Sequence, residues 1–377
     1  MGSLDSSRPP QNFESKKEFL DFLYYMMVSA FESSEFGEPR GRPRLLKTYL
    51  MEANRGLPET NDGTDLVIER KGTNVPEISI LVLRQVSTEK SVRFYVDTTD
   101  RRFWLLHTND LAREARELFD KLVFSPNVAF DKIWLPTQMI QKIADLPRNS
   151  FRGFGLYYKD FFELNEQTEK PVKWLRMGVS GSSSMDALEA LRSKDKLRSS
   201  LAYSNIRVRR GDLKEYVIDE LGYEGRFIAR RGNSIDAYAS LIELTRQMYK
   251  TTLEAIERNS LGIKQIENRT LIQGQAFDFS FEREIEDISL FLDILTNSKE
   301  PFRLWGLKNK ITNDGFQVFG VDLHTGDSID LEISPYLLRI YLPEGSCGNT
   351  VLRLYTNLQH YFDSELKLNE EPLQIGE

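Results

Sequence analysis

The chain has 377 residues, 40% hydrophobic and 28% charged, which excludes a disordered or fibrous protein and leaves room for more than one domain. Its formal charge of −7 excludes general adhesion to polyanions, because such binding draws on Lys and Arg to neutralise phosphate. A single cysteine, Cys347, excludes an internal disulfide and any thiolate-rich metal site, and His107, His324 and His360 stand far apart in sequence.

In chain order, the polar start at 1–10 has no apolar core behind a basic flank, so it does not read as a secretory signal. No later run approaches the roughly 20 apolar residues of a membrane-spanning helix. The expectation is a soluble, cytoplasmic or otherwise intracellular protein without a membrane partner. Ser15 opens a predicted helix in which Phe19, Leu20, Phe22, Leu23, Met26, Met27, Ala30 and Phe31 recur at helical spacing. A basic cluster follows at Arg40, Arg42, Arg44 and Lys47, and a short helix is expected over 45–53.

Short runs rich in β-branched and aromatic residues then predict strands at 66–68, 78–83, 92–96 and 103–106. A helix is expected next, capped by Thr108 or Asn109 and buried through Leu111, Ala115, Leu118, Phe119 and Leu122. Strand and helix are mixed over 128–143, strands are predicted at 151–162 and 172–179, and Ser183 with Asp186 resembles a capping box. A strand at 203–209 precedes the longest helical pattern, 235–258, and a further helix is expected over 282–295. Four more strands, at 302–305, 316–323, 329–333 and 337–342, lead into a helix over 349–362 with Val351, Leu354, Tyr355, Leu358 and Phe362 on one side. The order β-β-β-β-α therefore occurs twice. The fold class expected is α+β, multi-domain, with mainly antiparallel sheets packed against helices. The expected segments are 1–63 (helical element and linker), 64–177 (strand-rich), 178–270 (basic region and long helix) and 271–377 (C-terminal α+β).

Three groups of residues bear on function. From Arg192 to Arg231 there are eleven Lys or Arg against six Asp or Glu, a local excess of positive charge in an acidic chain. Within it, Arg207, Arg209, Arg210, Arg226, Arg230 and Arg231 offer guanidinium forks that match phosphate and carboxylate geometry. Tyr203 and Tyr223 are candidate stacking surfaces beside them. Asp65, Glu69 and Lys71 follow the acid and Glu-x-Lys order with which some nucleases hold a divalent cation such as Mg and activate water. Asp322, His324 and Asp330 flank a predicted hairpin turn at Thr325-Gly326 and supply two carboxylates and an imidazole for a divalent ion or general base.

The Gly178–Ser184 run has the glycines and serines of an anion loop but no P-loop lysine, and reads as a strand-to-helix connection. No nucleophile elbow is present. The reading is an interaction or assembly protein whose basic surface binds an acidic protein or nucleic acid. The alternative is a divalent-metal nuclease or phosphodiesterase.

Overall fold

The structure, a computed structural model, describes residues 10–35, 44–54, 56, 65–125, 129–162, 172–266 and 269–369. Arg40 and Arg42 lie outside the described residues. Among the described residues there are eight helices and large antiparallel sheets, the α+β architecture expected. No described helix is long and apolar enough to cross a membrane. The chain forms two compact units, each built from separated stretches. The first comprises Met1–Lys132, Arg210–Glu220 and Gly225–Ile242; the second comprises Ile133–Arg209, Leu221–Glu224 and Glu243–Glu377.

In the first unit, helix Lys16–Glu35 starts at a capping box. The Ser15 hydroxyl accepts the Glu18 N–H at 3.1 Å and the Glu18 carboxylate accepts the Glu14 N–H at 2.8 Å, satisfying backbone donors that the first turn cannot. Phe19, Phe22, Leu23, Met26, Met27 and Ala30 are buried, whereas Leu20 is exposed. The helix expected over 45–53 is instead strand Lys47–Ala53, buried at every position. It is central, between strands Phe103–Thr108 and Arg226–Gly232, so both its faces are covered. A strand buried on both faces shows no alternation, and periodicity cannot separate it from a helix.

The sheet order in this unit runs Leu66–Gly72, Ile78–Gln85, Ser91–Asp97, Phe103–Thr108, Lys47–Ala53, Arg226–Gly232 and then 216–220. Helix Ala112–Val123 lays Ala115, Leu118, Phe119, Leu122 and Val123 against Tyr49, Leu81, Leu83, Phe94 and Leu106. Neither expected cap forms, because Asp110 turns inward to accept the Arg93 N–H at 2.8 Å and the helix begins after Leu111.

The second unit holds a six-stranded antiparallel sheet in the order Leu304–Thr312, Gly315–Asp322, Ser328–Ser334, Leu337–Tyr341, Phe277–Ser280, Lys367–Asn369. Its first four strands and helix Asn349–Tyr361 are the second β-β-β-β-α run. Gly326 takes a φ of +84° in the expected turn, which glycine adopts without steric cost. Helix Asn349–Tyr361 departs from expectation: every residue from Asn349 to His360 is buried, not one face alone.

Most polar side chains on that helix survive burial because they find partners, the Thr356 hydroxyl and the Asn357 carbonyl oxygen excepted. Arg353 forms an ion pair with Asp322 and donates to the Phe302 carbonyl at 3.1 Å. Thr350 also donates to Asp322. Asn349 accepts from the Tyr249 hydroxyl, and Gln359 accepts the Thr137 N–H at 2.9 Å. His360 Nδ1 meets the Tyr157 carbonyl at 2.8 Å. Around the C-terminal end, Phe162, Phe281, Phe291 and Phe362 stack and meet edge to face, with Phe162 and Phe291 centroids 4.3 Å apart.

Candidate functional site

Three adjacent strands of the second unit, Asn149–Lys159, Trp174–Ser180 and residues 203–209, carry Arg152, Lys159, Arg176, Arg207 and Arg209 and no Asp or Glu. The pairing register places Trp174 opposite Lys159, Arg176 opposite Tyr157, Gly178 opposite Gly155 and Ser180 opposite Gly153. Directly opposed residues of an antiparallel pair point to the same face. Arg207 reaches this face, since its guanidinium donates to the Ser180 hydroxyl. Arg209 shares its parity. Ile206 and Val208, of the other parity, are fully buried. Phe154, Leu156, Tyr158, Ile206 and Val208 make one side of the two inner strands core, and the other side collects Lys159, Arg176, Arg207 and Arg209 together with the buried Tyr203.

Glycine lets groups of the adjacent strands close over the middle of that face. A Cβ on Gly155 would overlap the Asn205 amide and stand 2.7 Å from the Ser204 hydroxyl. A Cβ on Gly153 would run into the Val179 carbonyl and stand 3.2 Å from the Ser180 hydroxyl. Both positions need a residue without a side chain so that neighbouring chains can lie across the sheet. At the edge, Trp174 is 61% exposed, an indole presented to solvent beside two cations. Lys159 lies 5.1 Å from the Phe161 ring. Chemically, the face offers charge-assisted donors for phosphate or carboxylate and one broad π surface.

The six arginines expected as one surface are distributed otherwise. Arg207 and Arg209 belong to this face. Arg210 is buried, with the parity of Ile206 and Val208, and its charge acts on the buried Asp219 of the first unit. It is not an exposed contact residue. Burial keeps the Asp219 carboxyl well above its ordinary pKa, with Arg210 opposing. Arg226, Arg230 and Arg231 lie on strand Arg226–Gly232 of the first unit, where Arg230 is bidentate to Glu220 at 2.9 and 3.1 Å. Tyr203 is buried, its hydroxyl 3.1 Å from Arg192, so it offers no stacking surface.

The acidic candidates also separate. Asp65 accepts from the Ser87 hydroxyl and backbone and from Gln85 at 2.7–2.8 Å, which holds its carboxyl down at about 2. Glu69 faces Arg84 at 3.7 Å, and Lys71 donates to Gln11 at 3.1 Å. Each of the three thus has its own surroundings. Asp322, His324 and Asp330 do not assemble as ligands. Phe319 is paired with Asp330, so Asp330 shares the outer face with Phe319 while Asp322 has the opposite parity and turns inward to Arg353. Strand alternation forbids the convergence that proximity in sequence suggested.

Sequence reasoning missed Trp174, Arg176, Lys159 and the two glycines. The available signal was the excess of cations over acids in three predicted strands (Asp160 is their one acid), which appears only when those strands are considered jointly. Capping by Ser183 is likewise absent; the Ser184 hydroxyl instead donates to the Gly181 carbonyl at 2.9 Å.

The sequence profile of a family described as "MJECL33-like protein" matches residues 9–374. The chain is similar to "Uncharacterized protein MJECL33" of Methanocaldococcus jannaschii, 28% identical over 315 residues, covering 74% of this chain and 76% of that protein.

Proposed function

The chain belongs to the MJECL33-like protein family, and we propose that it is a nucleic-acid-binding protein that holds a single strand across the outer face of Asn149–Lys159, Trp174–Ser180 and residues 203–209. The observation that carries this reading is the composition of that face: four cations, no acid and an exposed indole in a chain of net charge −7. Guanidinium and ammonium groups would track the phosphates, and Trp174 would stack a base. Stacking of this kind is worth roughly 1–3 kcal/mol per base and tolerates any sequence. A duplex keeps its bases paired and cannot use the indole in this way, which favours a single strand. An acidic protein is the competing partner and has no use for a stacking platform.

The test is fluorescence anisotropy with labelled single-stranded and duplex oligonucleotides. Replacing Arg176, Arg207 and Arg209 together by Ser is expected to weaken single-strand binding at least tenfold. Trp174→Ala is expected to weaken it by a further 5-fold or more. Circular dichroism should remain that of the wild type, because Arg176 is exposed and Arg207 and Arg209 are half-exposed, and such charges contribute little to stability. Undiminished binding by a folded triple variant would refute the assignment. Absence of nucleic-acid binding together with capture of an acidic protein would return the face to the other partner class.

A further inference from the structure

A second cationic cluster lies in the first unit, and strand register builds it. Lys47 pairs with Ile228 and Tyr49 with Arg226, so Arg226, Ile228 and Arg230 share the sheet face of Lys47. The two arginines take the diagonal positions on either side of it, within reach of long side chains. On the other flank Thr108 is opposite Lys47, and the chain continues to Asp110, whose carboxylate is 3.8 Å from Arg44. Lys47 itself is buried and donates to the Leu45 carbonyl at 2.6 Å.

The charges do not balance. Arg44, Lys47, Arg226 and Arg230 are set against Asp110 and Glu220. Glu220 is engaged by Arg230, and Asp110 is shared with the Arg93 N–H. Arg226 is half-buried, and its guanidinium has no hydrogen-bond or ion-pair partner among the described residues. A half-buried fork with no partner among the described residues, next to a buried ammonium, leaves its donors open to an anion from solvent.

We propose that Arg44, Lys47 and Arg226 form a binding site for a phosphate-class oxyanion, independent of the sheet face described above. Arg226 supplies the fork, Arg44 closes from the solvent side and Lys47 forms the floor. The anion would be free phosphate or the terminal phosphate of a small phosphorylated molecule, which present the same oxygens. Burial, reinforced by Arg226, Arg230 and Arg44 and opposed by Asp110, holds the Lys47 ammonium down at about 8. A bound anion favours the charged ammonium and raises that value. Binding near pH 8 therefore takes up a proton at Lys47, whereas near pH 6.5 Lys47 is already protonated and the exchange left is proton release from the phosphate, whose own second ionisation lies at roughly 6–7.

The experiment is isothermal titration of the full chain with inorganic phosphate and, separately, with a nucleoside monophosphate. It is run at pH 8 and pH 6.5 in two buffers of different ionisation enthalpy. The expected result is one saturable site, with proton uptake at pH 8 that disappears at pH 6.5. Arg226→Gln should weaken it at least tenfold with an unchanged thermal midpoint. If that variant does not fold, Arg44→Gln replaces an exposed side chain and should still weaken binding about 5-fold. Tighter binding of one probe identifies the source of the phosphate. Absence of a saturable site for both probes, binding without proton uptake at pH 8, or wild-type affinity in a folded variant would overturn the proposal.

Discussion

Replacement of Arg353 by Met is expected to lower the stability of the second unit by about 3–5 kcal/mol, because it strands the Asp322 carboxylate in the interior. Arg353 and Asp322 are 0% and 1% exposed, so solvent screening does not soften the loss. Thr350 and the His324 N–H, 3.0 Å from Asp322, remain as donors but bring no full charge. Urea denaturation measures the effect as a lower midpoint at unchanged slope. The double variant Arg353→Met, Asp322→Leu should recover part of the loss, since replacing a buried pair by packed apolar groups is often neutral. A change below 1 kcal/mol in the single variant would mean that the pair does not hold the central helix to the sheet.

Acid should weaken the same unit through His360. Burial pushes its imidazole down to about 4, against an opposing hydrogen bond to the Tyr157 carbonyl and the nearby Glu224 charge. The unfolded ring titrates near 6.5, so between pH 6.5 and 4 the unfolded state binds more protons than the folded one. The contribution of the neutral ring is complete above pH 6.5 and is lost as pH falls through that window. The loss amounts to about 3 kcal/mol for this group. In His360→Gln, whose amide can keep the bond to Tyr157, the decline of stability between pH 7 and pH 4 should be shallower by about that amount. Parallel declines in both proteins would place the acid sensitivity elsewhere. His107 in the first unit is driven the same way by burial.

The fold was legible where β-branched and aromatic runs stand between polar turns or where a helix keeps a polar face. Strand Ser91–Asp97 and helix Ala112–Val123 keep a partly wet side, so their periods survive in the residues, whereas strands Ile78–Gln85 and Phe103–Thr108 are buried almost throughout and were legible from their β-branched and aromatic content. Strand Lys47–Ala53 is buried all round and was misread for that reason, whereas helix Asn349–Tyr361 formed as expected and only its complete burial was not legible. Arg353, Gln359 and His360 are buried there through partners from distant stretches of chain, which sequence does not reveal. Strands Tyr216–Gly222 and Arg226–Gly232 were hidden within the charged run they share.

The candidate site was legible only in part. Arg207 and Arg209 were identified from local charge density, but Arg210 followed them in sequence and not in space. Trp174 and Arg176 join the face through pairing with Asn149–Lys159, a long-range fact. The basic residues Arg44 and Lys47 were noted as a cluster, yet their association with Arg226 depends on register across almost 180 residues of chain.

The salt dependence of oligonucleotide binding reports how many phosphates the cationic sheet face engages. If the cations of the sheet face neutralise phosphates, log K for a single strand should fall linearly with log salt, with a slope of roughly −0.7 per phosphate engaged. Removing Arg176, Arg207 and Arg209 should make that slope shallower by about 2 while the slope for Trp174→Ala stays at the wild-type value. A wild-type slope near zero, or one that the triple substitution leaves unchanged, would contradict the assignment of this face to nucleic acid.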